Sequence, residues 1–321
     1  MRTPLVSAAC LVALTATGQF SPDGGQPGSI AIHVDSAAWV GWSTGVTYVP
    51  GWLDAADTSL GRIDMPARSA ALGPPDGAVA SLGDGGVAEL RFDPPIADGP
   101  GADFVVFENG FPTSDTTGFF ELALVEVVDG RGHTARFEAT GLTEAPVGPF
   151  GELDSRQLDG LAGRFSAPYG VPFDLADLPT GHGLDLGDIR TARLTDVVGT
   201  ADTAFAKTDV TGAPILDPYP TPFPGGGFDL DAVGVLHDAS TVVTAVVETS
   251  AGRPERRSRI VAVVDRLPCE SALGHAGAEW RDAVTGHRVD CQSPPRGRFL
   301  VLVSGCCEAK SAAWYLLSPR Q

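Results

Sequence analysis

The sequence predicts a mainly β protein built as an antiparallel sandwich. Short apolar runs rich in Val, Phe and Leu alternate with clusters of Gly, Pro and Asp, a pattern typical of short strands joined by sharp turns. The 321 residues include 40 Gly and 26 Pro, and helical periodicity is nearly absent. Because 43% of the residues are hydrophobic, the chain can bury a substantial core.

The beginning of the chain has the pattern of a secretory signal peptide, predicted over residues 1–18. Arg2 supplies a positive charge, residues 5–16 form a short apolar segment, and small residues at 16–18 suit cleavage before Gln19. We therefore expect an exported protein, extracellular or periplasmic. No later stretch is apolar enough for a transmembrane helix, and Cys10 leaves lipidation open as an alternative.

The net charge of −18 argues against nucleic acid and anionic membrane surfaces as partners. Residues 19–29 predict a flexible leader, and residues 30–238 predict the sandwich. Turn sequences such as GPPDG and GDGG separate its strands. Strands are expected at 87–92, 104–108, 122–128, 134–139, 192–198 and 230–236.

Residues 240–321 predict a second, small β-rich module, because the charge balance changes there. Lys and Arg divide equally between the first 240 residues and the remainder, 11 and 11, whereas Asp and Glu divide 32 and 8, leaving −21 and +3. A hairpin is expected between 242–248 and 259–264, followed by strands at 299–303 and 312–317.

The predicted mature chain has four cysteines, all in this module: Cys269, Cys291, Cys306 and Cys307. An even number of cysteines in an exported protein favours disulfides, which stabilise small modules. The alternative is a soft-metal site that combines Cys269 and Cys291 with His275 and His287, although this spacing matches no known zinc module.

The stretch 217–235, DPYPTPFPGGGFDLDAVGV, contains the strongest chemical signal. Alternating prolines predict an extended segment, three glycines allow a sharp turn, and a strand follows. Strict alternation predicts that Asp229 and Asp231 share one face with Val233 and Val235. Two carboxylates at the edge of a core need partners, and a cation is one such partner.

A calcium site is therefore expected where strand ends meet at one rim of the sandwich. Its predicted ligands are Glu108, Asn109, Glu121, Asp229 and Asp231, because Ca²⁺ prefers oxygen ligands. The alternative is ordinary turn capping, in which Asp and Asn bond to nearby backbone. The sequence contains no EF-hand loop that would decide between a calcium site and turn capping.

Three tryptophans, Trp39, Trp42 and Trp52, are candidates for ligand binding, because aromatic rings at a sandwich edge stack on sugars or flat molecules. The alternative is core packing. Trp39 and Trp42 are three residues apart, so a regular strand would point them to opposite faces unless Gly41 interrupts it.

Several segments together resemble a family of secreted bacterial proteins usually labelled only as cell-surface proteins. The segments are ALGPPDG (71–77), VAELRF (87–92), GADFVVFENGF (101–111), ELALVEV (121–127), YGVPFDLADL (169–178) and DPYPTPFPGGGFDLDAVGV (217–235). The resemblance covers residues 30–238. It implies an extracytoplasmic location and a jelly-roll sandwich similar to galactose-binding-like domains, and it implies no established catalytic activity. Some members carry C-terminal sorting tails, where this sequence has its cysteine-bearing module.

These observations together favour a non-catalytic protein that binds a glycan or other small ligand at the cell surface or in the periplasm, with Ca²⁺ as a structural ion. One alternative is an accessory that captures a nutrient or cofactor for outer-membrane uptake. Another is a hydrolase using rim carboxylates, although the sequence contains no GxSxG elbow, HExxH helix, phosphate loop or dinucleotide fingerprint.

Overall fold

The structure, a computed structural model, describes residues 20–64, 68–221 and 225–240, and after that the strands alone. The predicted signal peptide, Cys10 and the four cysteines of the last module lie outside the described residues, together with His275 and His287. The export, disulfide and zinc hypotheses therefore stay predictions.

The chain is mainly β, as the sequence predicts, with 34% of residues in strands and 6% in helices. Two six-stranded antiparallel sheets form the body, with strands numbered along the chain. The first has the order β1 (Ile32–His33), β14 (Tyr169–Phe173), β6 (Phe104–Glu108), β16 (Asp229–Val235) and β2 (Gly41–Trp42), with β4 (Ala80–Ser81) beside β16. The second has the order β10 (Thr134–Arg136), β9 (Ala123–Asp129), β15 (Ile189–Asp196), β5 (Val87–Ile96) and β3 (Gly45–Val49), with β13 (Leu161–Ala162) beside β9.

Short elements connect these strands. Two small ribbons pair β7 (Phe111–Pro112) with β8 (Gly118–Phe119), and β11 (Thr140–Gly141) with β12 (Leu158–Asp159). Single turns of 3₁₀ helix occupy Thr58–Leu60, Arg68–Ala71, Ser155–Gln157 and Leu175–Asp177. The turns are short because Gly, Pro and Asp punctuate the sequence.

The core lies between the two large sheets, so the sandwich prediction is confirmed, while the jelly-roll connectivity stays a prediction. Alternate residues of each strand point inward. In β6, Phe104 and Val106 join the buried core, whereas Val105 and Phe107 point to the outer face.

A β-bulge in β16 changes which residues face the core, so the alternation predicted for this strand is wrong. The pairing with β6 shifts between Leu230 and Ala232, where one extra residue enters the strand. Leu230 and Val233 consequently both face the core, and Ala232 faces outward. Asp231 does not share a face with Val233, because the extra residue reverses the pattern beyond it.

The segment predicted as a flexible leader contacts the body from Phe20 onward. Asp23 is buried and accepts hydrogen bonds from the backbone N–H of Ser166 (2.7 Å) and from its hydroxyl (2.6 Å). Gly24 lies against the ring of Tyr169. Contacts with the sandwich therefore begin ten residues before the predicted boundary at residue 30.

Beyond residue 240 the described strands form two further sheets. One pairs β17 (Thr244–Glu248) with β18 (Pro254–Ser258); the other has the order β19 (Val261–Val264), β22 (Trp314–Leu317), β21 (Phe299–Ser304) and β20 (Ala278–Asp282), with β19 and β22 parallel. The predicted hairpin is wrong in its second strand, because β18 occupies the charged sequence PERRS that we assigned to the turn. The segment 261–264 pairs with β22 instead.

Candidate acidic cation site

Six carboxylates gather at one end of the space between the sheets and form what we call the acidic cluster. Strand pairing brings together the end of β6, the start of β16, the end of β15 and the segments that lead into β5 and β9. Each member lies close enough to another for their charges to repel. The members are Asp84, Glu108, Glu121, Asp196, Asp217 and Asp229.

Strand alternation explains why three of these acids point inward. Glu108 follows Phe104 and Val106 on the core face of β6, and Asp196 follows Ala192 and Leu194 on that of β15. Glu121 precedes Ala123 in the same alternation. The result is a set of acids at the end of an apolar interior, where a charge is costly unless it has a partner.

Backbone amides satisfy part of the acidic cluster. Asp196 accepts hydrogen bonds from Gly85 N–H (2.8 Å) and Phe228 N–H (2.6 Å), one on each oxygen. Asp217 accepts one from Leu122 N–H (2.9 Å), and Asp84 one from Ala55 N–H (2.7 Å). These three acids therefore hold loops together at this end of the sandwich.

The predicted calcium ligands Glu108, Asn109 and Asp229 also lie in or beside the acidic cluster. Glu108 accepts a hydrogen bond from Gly110 N–H at 2.7 Å. Asp229 accepts one from the hydroxyl of Ser81 and one from the amide of Asn109, at 3.0 Å. Asn109 is exposed, so rotation of its amide would present its carbonyl oxygen.

Glu121 is the member of the acidic cluster that most lacks a partner. Its side chain is 3% exposed, and Oε1 is buried with no hydrogen-bond partner in the part of the chain that the structure describes. Burial, with repulsion from Asp229 and Asp196, raises the pKa of Glu121 to about 9, and a backbone hydrogen bond from Gly227 offsets only part of this. A free carboxylate here needs either a proton or a cation.

The rest of the acidic cluster shows the same deficit of positive charge. Burial, followed by repulsion from Glu121, raises the pKa of Glu108 well above its usual range. Burial likewise raises the pKa of Asp84 to about 6 and those of Asp196 and Asp217 well above normal. Lys207 lowers the pKa of one member, Asp196, which nevertheless stays well above its usual range.

Asp231, the fifth predicted calcium ligand, has a different role. Its two oxygens accept hydrogen bonds from the backbone N–H groups of Asp76 (3.1 Å) and Gly77 (3.2 Å). Asp231 therefore holds the GPPDG turn against β16, because the bulge turns its side chain away from the direction that alternation predicts.

A second acidic group lies at the opposite end of β6. The oxygens of Asp98, Asp103 and Asp174 lie within 4.8 Å of one another, whereas those of Glu108, Glu121 and Asp229 are more widely spaced. Asp103 is already satisfied by the backbone N–H groups of Gly99 (2.6 Å) and Leu175 (2.7 Å) and by His237 Nδ1 (3.0 Å). This group therefore ties loops together, and its buried carboxylate Asp103 already has three hydrogen-bond partners.

The three candidate tryptophans do not form one ligand platform. Trp39 and Trp42 are half-buried on the outer face of the first sheet, with ring centroids 4.9 Å apart, and both rings contact Phe107. They share one side because β2 begins only at Gly41, so no regular strand joins them. The Trp52 ring instead lies 4.0 Å from the guanidinium of Arg62.

We expect Gly234→Ala to destabilise this packing. A Cβ at residue 234 would lie 2.7 Å from Cζ3 of Trp39 and 2.9 Å from Cζ3 of Trp42, so both rings would have to move. We expect a loss of about 1–3 kcal/mol in the free energy of unfolding, measured by urea denaturation. The matched control is Gly45→Ala, where the nearest atom is 3.9 Å away. Equal stability of the two variants would contradict this packing.

Sequence reasoning missed Asp84, Asp196 and Asp217 as members of the acidic cluster. Alternation along β15 could have identified Asp196, because it continues the inward series of Ala192 and Leu194. Asp84 lies in a Gly-rich turn and Asp217 before a proline-rich segment, so neither carries a local signal. These three carboxylates lie close together only because the topology of both sheets brings their segments to the same end of the sandwich.

Comparison of the chain with models of protein families, with curated proteins and with solved structures found no match. In the part of the chain that the structure describes, no helix has the length and apolarity needed to cross a bilayer.

Proposed function

We propose that this protein is exported and acts as a non-catalytic binding protein at the cell surface or in the periplasm, built on a jelly-roll sandwich that Ca²⁺ stabilises. Its ligand is a glycan or another small molecule. The signal-peptide pattern and the resemblance of residues 30–238 to cell-surface proteins support the location.

The observation that carries the proposal is the unpartnered Oε1 of Glu121 inside the acidic cluster. A buried carboxylate oxygen without a hydrogen bond costs free energy, and neighbouring carboxylates add repulsion. One divalent cation removes both costs at once. Among the described residues, no basic side chain donates to Glu108, Glu121 or Asp229.

The chemistry of the donors favours Ca²⁺. Glu108, Glu121 and Asp229 supply carboxylate oxygens, and Asn109 supplies an amide oxygen, which are hard ligands. Ca²⁺ accepts six to eight oxygens in irregular geometry, so it tolerates a set distributed over strands and turns. Because the carboxylate oxygens of these three acids do not all lie within 4.8 Å of one another in this structure, binding would draw their side chains together.

Burial favours a structural ion over a catalytic pair of carboxylates. Glu108 and Glu121 are each 3% exposed, so neither carboxyl group could contact the scissile bond of a substrate unless the sandwich opened. A general acid or base must lie within hydrogen-bonding reach of its substrate. The acidic cluster is therefore better suited to stabilise a binding scaffold than to hydrolyse a ligand.

Added Ca²⁺ is expected to raise the melting temperature of the chelator-treated protein. At a concentration one hundred times the Kd, mass action adds about 2.7 kcal/mol, which corresponds to a rise of about 5–10 °C for a domain of this size. Differential scanning calorimetry with and without chelator measures the effect. A melting temperature indifferent to both Ca²⁺ and chelator would contradict the proposal.

Two variants separate ligation from structural support. Glu121→Gln is expected to abolish the Ca²⁺ effect and to leave the calcium-free protein as stable as the wild type or more so, because it removes a buried carboxyl group that loses stability whenever it ionises. Asp231→Ala is expected to lose about 1–3 kcal/mol, because two amides lose their acceptor, and to keep the full Ca²⁺ effect. The reverse pattern would place the ion at Asp231.

A further inference from the structure

An exposed aromatic pair lies on the ribbon that β7, β8 and their connecting loop form over residues 111–119. Phe111 and Phe119 pair across this ribbon, and their rings stack with centroids 5.5 Å apart and planes 15° apart. Phe119 is half-buried, whereas Phe111 is 55% exposed. One ring therefore supports the other, and much of Phe111 remains in contact with water.

Backbone hydrogen bonds hold this ribbon in place. Gly118 and Leu153 exchange two of them, each 2.9 Å long, so β8 lies between β7 and the segment at residue 153. The loop closes because the N–H groups of Thr113 (2.9 Å) and Ser114 (3.1 Å) both donate to the carbonyl oxygen of Thr117. A surface that is already ordered loses less conformational entropy when a ligand binds.

Oxygen atoms follow the aromatic pair in the same ribbon. The hydroxyl of Thr117 lies 3.0 Å from that of Thr113 and 2.8 Å from that of Ser114. It also donates to the carboxylate of Glu152 at 2.9 Å. Residues 111–119 include no basic side chain. The ribbon therefore presents one apolar ring together with neutral and acidic oxygen atoms.

The small size of the ribbon argues against a protein partner. A stable protein–protein interface buries about 800 Å² on each partner and involves about 20–30 residues of each. The ribbon comprises the nine residues 111–119. Within this described segment, Phe111 is the one large hydrophobic side chain that is exposed. One ring of this kind matches a small ligand better than a protein surface.

The charge of the ribbon argues against a bilayer. Surfaces that lie on membranes combine their apolar residues with Lys and Arg, which attract anionic lipids. This ribbon has instead the exposed carboxylates of Asp115 and Glu152 at or beside its loop, in a chain of net charge −18. Anionic headgroups would therefore be repelled.

We propose that the ribbon 111–119 binds a pyranose ring of a glycan, which stacks on Phe111. A pyranose with equatorial hydroxyls presents C–H groups on its two faces, which suit an aromatic ring. Its hydroxyls suit the oxygen atoms of the loop and of Glu152. A flat aromatic ligand would match the ring and leave these oxygen atoms unused. This inference rests on the proposed binding role and gives it a ligand class and a place.

Saturation-transfer NMR with cellobiose, lactose and maltose tests the inference, because sugar protons that contact an irradiated aromatic ring receive its magnetisation. We expect saturable binding of at least one of these disaccharides with a millimolar Kd, and the strongest transfer to the C–H protons of one pyranose ring. Sorbitol, an open-chain polyol, is the control and should show no saturable transfer. The absence of saturable binding by all these disaccharides, or equal transfer to sorbitol, would overturn the inference.

Two substitutions of Phe111 locate the binding. Phe111→Tyr keeps a flat ring and should bind the sugar as the wild type does, whereas Phe111→Leu keeps only an apolar side chain and should bind it about fivefold or more weakly. Leu60→Ala is the matched control and should bind as the wild type does, because Leu60 is 57% exposed but lies outside the ribbon.

Equal affinity of Phe111→Leu and the wild type would overturn the assignment of the sugar to this ribbon. The result is separable from the calcium proposal. If no disaccharide binds while Ca²⁺ still raises the melting temperature, the ribbon inference alone fails. If a disaccharide binds through Phe111 and Ca²⁺ has no effect on the melting temperature, the ribbon inference is supported and the calcium proposal alone fails.

Discussion

Asp196→Ala is expected to cause the largest loss of stability of any single substitution in the acidic cluster. Each oxygen of Asp196 accepts one backbone N–H, from Gly85 and from Phe228, and the carboxyl is fully buried. Alanine would leave both amides without an acceptor, at about 1–3 kcal/mol each. Relief of repulsion from Asp84 offsets part of this cost. We therefore expect a net loss of about 2–4 kcal/mol in urea denaturation.

Asp202→Ala is the matched control for this measurement. Asp202 also accepts a backbone N–H, from Ala204 at 3.0 Å, but it is exposed, so water can replace it. Asp202→Ala should therefore change the free energy of unfolding by no more than about 0.5 kcal/mol. If Asp196→Ala were as stable as this control, Asp196 would not join the 83–86 turn to the start of β16.

The calcium-free protein is expected to lose stability steadily as the pH rises from about 5 to about 9. Burial raises the pKa of Glu121 to about 9 and that of Asp84 to about 6, so the folded state keeps protons that the unfolded chain has already released. The stability linked to these groups is complete below their unfolded pKa values and disappears as the pH passes the folded ones. Urea denaturation in chelator across this range measures the loss.

Calcium should oppose this loss, because the ion replaces the protons that stabilise the acidic cluster. Its effect on the melting temperature is therefore expected to increase with pH. At Asp154 and Asp209, hydrogen bonds to the carboxylates outweigh the effect of burial, so the pKa values of both groups are lowered. These two groups therefore change the free energy of unfolding only at lower pH. Glu121→Gln should reduce the dependence of the free energy of unfolding on pH when the protein is measured in chelator. A wild-type profile already flat in chelator would contradict the assignment of raised pKa values to the acidic cluster.

Strand positions could be predicted well from local pattern. The strand at 104–108 has the predicted bounds, and the predicted runs at 87–92 and 192–198 overlap β5 and β15. Which residues of β16 face the core could not be predicted, because the bulge at Asp231 depends on the register between β16 and β6. The second strand of the hairpin after residue 240 was missed because charged residues there resemble a turn.

The candidate site could be predicted in part. Glu108, Asn109, Glu121 and Asp229 were expected to converge at a rim, and the structure places them in or beside one acidic cluster. Asp231 was expected there and instead holds a turn.

Equilibrium dialysis against Ca²⁺, followed by metal analysis, tests the central claim most directly. The wild-type protein is expected to retain on the order of one calcium ion per chain. The double variant Glu108→Gln, Glu121→Gln is expected to retain almost none while remaining folded by circular dichroism, because glutamine keeps the size of both side chains. Asp231→Ala serves as the control and should bind as the wild type does. A wild-type protein without calcium, or a double variant that binds it equally, would contradict the account.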